Sequence, residues 1–188
     1  MLNRKNRMKP KQVDPAKVIQ LVAALNAAIW LGGAVFFTFI GGPAFFSPEL
    51  EAILPKPENG IAARFMIGKF TAFQIACASI SVISLLIGWR LKISSYQKYQ
   101  AFLLFFIILF IGVGTLLLTP KMDAAHQLKY ASYYQFTATP IAKEDASKVF
   151  GLLHGLSQMG NLLVLIGLVI NFIFCWKTAA NQKETEGN

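Results

Sequence analysis

Four stretches of this chain contain no formally charged residue: Val18 to Pro48, Phe70 to Trp89, Ala101 to Pro120 and Val149 to Trp176. Each can supply the roughly 20 apolar helical residues that cross a hydrocarbon layer about 30 Å thick. Water is absent from that layer, so a crossing segment must satisfy its own backbone hydrogen bonds, and a helix does so residue by residue. The pattern predicts an all-α membrane protein, a four-helix transmembrane bundle with spans at about 18–42, 70–89, 101–119 and 150–175. Composition agrees: 55% of the 188 residues are hydrophobic and only 14% are charged, too few charges to clothe a soluble domain. A cleaved signal peptide is the rival reading of the first stretch, with Gly42-Pro43-Ala44 near its end. The stretch exceeds the apolar core of such a peptide, about 7 to 15 residues.

The basic residues orient the bundle. Arg4, Lys5, Arg7, Lys9, Lys11 and Lys17 lie in an N-terminal arm, residues 1–17, which is expected to be disordered before Asp14. Arg90, Lys92 and Lys98 lie in the link between the second and third stretches, and Lys177 and Lys183 in the tail, residues 177–188. On that side the acids are Asp14, Glu184 and Glu186; on the other, the seven remaining basic residues are nearly balanced by six acids. The positive-inside rule then puts both termini in the cytoplasm, N-in and C-in, around a transmembrane domain at 18–176. A net charge of +9 serves topology in this reading. The implied partners are the bilayer and anionic lipid at its cytoplasmic face, with no nucleic acid; a second copy or another membrane protein is left open.

Local signals punctuate the chain. Asp14-Pro15 reads as a helix cap and first turn, and Gly41-Gly42-Pro43 as the end of the first helix. Ser47-Pro48-Glu49 starts a short helix to about Leu54, broken by Pro55 and Pro57. Ile61, Phe65 and Met66 suggest an amphipathic turn at the outer interface before the second span. The link from Arg90 to Gln100 is short enough to force an antiparallel hairpin, and Trp89, Tyr96 and Tyr99 suit an interfacial aromatic belt. Lys121 to Lys148 is the largest outer connection, anchored by Tyr130, Tyr133 and Tyr134, and Thr139-Pro140 starts a helix that runs into the fourth span. Cys77 and Cys175 fall at different depths, which argues against a disulfide. No internal repeat or second soluble domain is visible.

Polar and small residues recur at helical spacing inside the spans. Gln74, Cys77, Ser81, Ser84 and Gly88 share one face of the second; Asn26, Trp30 and Gly33 one face of the first; Gly112, Thr115 and Thr119 one face of the third; Gly151, His154, Ser157 and Asn161 one face of the fourth. Two readings follow. In one, the stripes pack helices together through close backbones, as at the Gly151 and Gly155 pair, and through hydrogen bonds of about 0.6 to 2 kcal/mol each. In the other, Asn26, Trp30, Gln74, His154, Ser157 and Asn161 line a polar cavity for a solute. No acid or base sits in the middle of a span, which argues against an ion-coupled pump.

A third reading concerns metal. Met122 and His126 are one turn apart in the outer connection, and with His154, or Met159, they form a weak set of soft-metal ligands. No cofactor is expected: haem in such a bundle needs paired histidines at matched depth, and only two histidines exist. Ser157 near His154 lacks an acid for hydrolase chemistry, and no phosphate-cradling loop occurs, so the chain is not expected to be an enzyme.

Trp30-Leu31-Gly32-Gly33 with Phe37 and Pro43-Ala44-Phe45-Phe46 is similar to the opening of the transmembrane protein 205 family and its bacterial relatives of unknown function. Leu116-Leu117-Leu118-Thr119-Pro120-Lys121-Met122 and His154-Gly155-Leu156-Ser157 with Asn161 are similar to its later parts, so the likeness spans about Ala23 to Phe174. It implies a compact four-helix protein of a bacterial plasma membrane, without established enzymatic activity. The vertebrate namesake's link to platinum-drug resistance implies handling of a small solute or metal compound. The long basic arm and the Tyr-rich connection depart from the pattern. The expected function is therefore assistance in transport of, or resistance to, such a solute; the alternative is a structural or interaction subunit without transport activity.

Overall fold

A computed structural model describes residues 14–93 and 96–184, with side chains described through 180. Arg4, Lys5, Arg7, Lys9 and Lys11 of the basic arm and the last part of the tail, including the side chain of Lys183, lie outside the described residues. Four helices are long and apolar enough to cross a membrane: Pro15–Ala44, Glu58–Leu91, Gln97–Lys129 and Pro140–Ala180. They are named here the first to fourth crossings. The first packs against the second and the fourth, and the third also packs against the second and the fourth, so the four form a closed ring. Successive crossings alternate in direction. The start of the first, the hairpin between the second and third, and the end of the fourth therefore share one end, called here the basic end.

The helix starts follow their local chemistry. Asp14 caps the first crossing, its Oδ1 accepting from the Ala16 N–H at 2.9 Å, with Pro15 in the first turn. Ser47 caps the short helix Pro48–Ile53 by accepting from the Leu50 N–H at 3.3 Å. The fourth crossing runs from Pro140 to Glu184 without a break. At the basic end the second crossing stops where Lys92 takes a left-handed conformation, φ 52°. There the Ile93 N–H reaches the Gly88 carbonyl at 3.1 Å and the Lys92 N–H the Trp89 carbonyl at 3.2 Å, a closure that satisfies carbonyls a helix end leaves open.

Two expectations are corrected and one is refined. The first helix ends at Ala44, one residue past Gly41-Gly42-Pro43, after the chain widens into a π-turn at Phe37–Gly41 and resumes as α-helix at Gly42–Ala44. The wider turn absorbs the proline, which cannot donate to the preceding turn. Gly42 belongs there because a Cβ would sit 3.0 Å from the Phe37 carbonyl oxygen. The same device recurs in the third crossing, where a π-turn at Gly114–Leu118 precedes Thr119-Pro120 and Thr119 Oγ1 donates to the Gly114 carbonyl at 3.0 Å. That crossing then continues to Lys129, which places Met122 and His126 on a helix. Ile61, Phe65 and Met66 belong to the continuous helix Glu58–Leu91 and form no separate turn.

Polarity is inverted relative to a soluble protein. Leu21, Leu25, Ile29, Phe36, Ile83, Phe102, Phe105 and Leu116 are exposed, whereas Gln20, Asn26, Gln74, Ser81, Ser84, Gln97 and Asn171 are buried. An apolar exterior suits lipid, and lipid offers no hydrogen bond to an amide or hydroxyl. The chain is thus a multi-pass membrane protein in a lipid environment. The second-crossing stripe of Gln74, Cys77, Ser81, Ser84 and Gly88 turns inward along its whole length. At mid-bundle, Trp30, Ala34, Cys77, Ala78, Leu104, Ile107, Val164, Leu165 and Leu168 form one apolar core fed by all four crossings.

Candidate functional site

Polar groups inside the bundle occupy two regions separated by this core. On the far side from the basic end, the π-turn in the first crossing aims two consecutive residues at different neighbours. Phe37 stacks on Phe70 of the second crossing with ring centroids 4.2 Å apart. The Thr38 hydroxyl accepts from Asn161 Nδ2 of the fourth at 2.8 Å. Gln74 is buried, and Ser157 is half-buried. His154 stacks on Phe150, and its Nε2 lies 3.1 Å from Gln158 Nε2. Trp30 is fully buried in the core, and its indole N–H has no partner among the described residues.

Asn26 stands on the basic side of Trp30. Its Nδ2 donates to the Cys77 carbonyl and to Ser81 Oγ, both at 2.9 Å. Both hydrogens of that amide are used. Asn26 thus stands at the first-to-second helix contact and Asn161 at the first-to-fourth, while Gln74 is buried on the inward stripe of the second crossing.

A cavity of about 50 Å³ lies instead at the basic end, lined by Gln20, Ser81, Ser84, Gln97, Gln100, Asn171, Cys175 and apolar neighbours. None of Asn26, Trp30, Gln74, His154, Ser157 and Asn161 lines it. One water needs about 10 to 15 Å³ on this measure, so the space holds about four atoms of that size. Each wall is set by local sequence. Gln20 lies on the buried stripe Gln20, Ala27, Trp30 and Ala34 of the first crossing. Gln97 opens the third crossing and reaches over Gly88, where a Cβ would meet its Nε2 at 3.1 Å, so glycine permits the approach. Gln100 Nε2 lies 3.5 Å from Cys175 Sγ.

Two amides are left over. Gln20 is 6% exposed and Asn171 2%, yet Gln20 Nε2 and Asn171 Nδ2 have no hydrogen-bond partner among the described residues. A buried unpaired donor costs about 1–3 kcal/mol, so its presence points to a missing partner. Among the described residues the lining holds no Asp, Glu, Lys or Arg. Lys17, Arg90, Lys92, Lys98 and Lys177 are exposed beside lining residues in sequence.

Gln20, Gln97, Gln100 and Asn171 are absent from the expected site, although a signal existed. Asn161, Val164, Leu168, Asn171 and Cys175 continue the fourth stripe by threes and fours, as Gln97, Gln100, Leu104 and Ile107 do on the third. Glutamines close to lysines resemble interfacial residues, which hid them.

The weak metal set lies at the opposite end. His126 Nδ1 is 3.4 Å from the Tyr134 hydroxyl, and its Nε2 lies 3.1 Å from where a Cβ on Gly60 would sit. Phe150 contacts both imidazoles, with centroids 5.8 Å from His126 and 5.9 Å from His154. Among the described residues no group of three or more His, Cys, Asp and Glu converges on a metal position. Arg64 pairs with Asp123 at 3.0 Å nearby. Glu58 Oε2 and Asn59 Nδ2 are further buried atoms without partners among the described residues.

Residues 25–131, more than half of the chain, match a family described as a domain of unknown function, DUF4149. Neither a curated protein nor a solved structure matches. The chain belongs to the DUF4149 family. That finding supports the unknown-function part of the expected likeness and does not reach the transmembrane protein 205 family.

Proposed function

We propose that this member of the DUF4149 family binds a small polar solute in the cavity at the basic end and assists its movement across, or removal from, the membrane, without catalysing a reaction. The observation that carries the reading is the pair of unpartnered amides, Gln20 and Asn171, in a space bounded by all four crossings. Helix packing alone gives no reason to keep them, since Asn26 and Asn161 show how a packing amide is satisfied. Above the cavity the apolar core around Leu104 and Leu168 closes the bundle. Passage through the bundle would require that core to part. The two π-turns lie beyond it, in the first and third crossings, and π-turns are frequent at functional sites.

The reading includes an N-in, C-in orientation in a bacterial cytoplasmic membrane, with anionic lipid against the basic end. A metal compound is the second solute class, in keeping with the likeness to the transmembrane protein 205 family. It draws support from the Cys175 sulfur in the cavity wall, a soft ligand. Proteoliposomes holding the full chain test the proposal by light scattering during osmotic shrinkage with acetate, urea, glycerol or methylammonium as permeant. At least one permeant should cross faster than in liposomes with Asn171→Leu. Equal rates for every permeant would overturn the movement reading.

An interaction subunit is the second reading, favoured by one face of the fourth crossing. The Gly151 and Gly155 pair makes no close contact among the described residues, where no atom lies within 4 Å of a Cβ at either position. Gly151, Leu152 and Met159 beside it are exposed. Gly155→Leu should then shift the oligomeric state seen by cross-linking in membranes, and an unchanged pattern would remove this reading.

A further inference from the structure

We propose that the cavity at the basic end is selective for an oxyanion, a carboxylate or phosphate-type group seated between the Gln20 and Asn171 amides. This rests on reading the cavity as a binding site and adds the chemical class of its occupant. Three observations converge. The fully buried lining atoms without a partner among the described residues are both donors, Gln20 Nε2 and Asn171 Nδ2, on side chains more than nine-tenths buried. An N–H donor calls for an acceptor, and an ionised oxygen accepts more strongly than a neutral one. No acid among the described residues lines the space, so the wall offers a cation no charged partner.

Helix direction supplies the second observation. Gln97 and Gln100 line the cavity from the first turn of the third crossing, a helix long enough to have a developed dipole. The N-terminal turn carries partial positive charge and favours an anion. The crossings that run the other way do not offset this. The Gly88 and Trp89 carbonyls already accept from Ile93 and Lys92, and the fourth crossing continues beyond Cys175 to Glu184.

The rim is the third. Lys17, Arg90, Lys92, Lys98 and Lys177 stand beside lining residues in sequence and are exposed, and exposed charges act over a Debye length of about 8 Å. An anion is therefore concentrated at the mouth and met by amide hydrogens inside, which lowers the cost of leaving water. A space for about four water-sized atoms suits a carboxylate with its carbon stub. The oxyanion can belong to a free solute or to a lipid headgroup; both present the same oxygens.

The test follows alkylation of Cys175, which lines the cavity, with Cys77, buried in the apolar core, as internal reference. The full chain in maltoside micelles is treated with iodoacetamide and the two cysteine peptides are quantified by mass spectrometry. Sodium acetate, sodium phosphate, urea and methylammonium chloride are compared at constant ionic strength. Acetate or phosphate should slow Cys175 alkylation about tenfold at ten times its dissociation constant, while urea and methylammonium leave it unchanged. Asn171→Asp should abolish that protection, and Gln20→Leu serves if the first variant does not fold. Protection that appears only when phosphatidylglycerol is added, with free anions inert, also supports the proposal and assigns the oxyanion to a lipid headgroup. Equal protection by urea, or protection by methylammonium, overturns the oxyanion class and leaves a binding cavity. A reactive Cys175 that no probe protects overturns the oxyanion proposal. A Cys175 as inert as Cys77 removes the cavity itself, and both readings with it.

Discussion

Asn26 donates one amide hydrogen to Ser81 Oγ at 2.9 Å and the other to the Cys77 carbonyl at 2.9 Å, so the first and second crossings are joined by a polar contact with no spare donor. Hydrogen bonds of this kind contribute about 0.6 to 2 kcal/mol each in a bilayer protein. Asn26→Leu should therefore lower stability by about 1–3 kcal/mol while solute handling survives. Denaturation in mixed micelles reads the first quantity and the proteoliposome assay the second. An unchanged denaturation midpoint would show that the contact adds nothing.

Asn161 makes a single hydrogen bond across the bundle, to Thr38 at 2.8 Å, and is only half-buried. Asn161→Leu should cost less, about 0.6 to 1 kcal/mol, and leave permeation as in the parent chain. Loss of permeation at unchanged stability would place the functional centre at the Thr38 level instead of the basic end.

Close helix approach gives a third set of variants. A Cβ at Gly33 would lie 2.7 Å from the Phe73 ring, and one at Gly167 would lie 2.9 Å from Ile107, which is 2% exposed. Gly33→Ala and Gly167→Ala should each destabilise by about 1–3 kcal/mol, as overpacked cores do. Gly68 has nothing within 4 Å of a Cβ, so Gly68→Ala should stabilise by about 0.5–1 kcal/mol through helix propensity alone. The same sign for all three in thermal melts would contradict the packing described.

Orientation is testable separately. A reporter that is active only outside the cytoplasm should be active when inserted between Lys121 and Lys148, and inactive when fused to either terminus. The reverse pattern would turn the basic end, and with it the cavity mouth, to the opposite face.

The four crossings were legible because a missing charge over some twenty residues has only one economical structural answer in lipid. The inward stripe of Gln74, Cys77, Ser81 and Ser84 was legible from spacing alone. Less visible was the π-turn at Phe37–Gly41: local propensity reads Gly41-Gly42-Pro43 as the helix end, which it is to within one residue, but does not show how the chain widens on the way to it. The cavity was hidden for another reason. Spacing shows that Asn26 and Asn171 both face inward, but only the structure shows that one amide finds Ser81 and Cys77 while the other finds no partner among the described residues.

The most direct measurement is the thermal stability of Asn171→Leu and of the Gln20→Leu, Asn171→Leu double variant in detergent, beside Asn26→Leu. Leucine removes an unpaired buried donor at positions 20 and 171, and a residue kept for a ligand is kept at some expense of stability. Melting temperatures equal to or above the parent's are expected for Asn171→Leu and the double variant, together with loss of permeation in proteoliposomes, while Asn26→Leu melts lower. A fall for Asn171→Leu as large as that for Asn26→Leu, with permeation intact, would make Asn171 another packing amide and contradict the account.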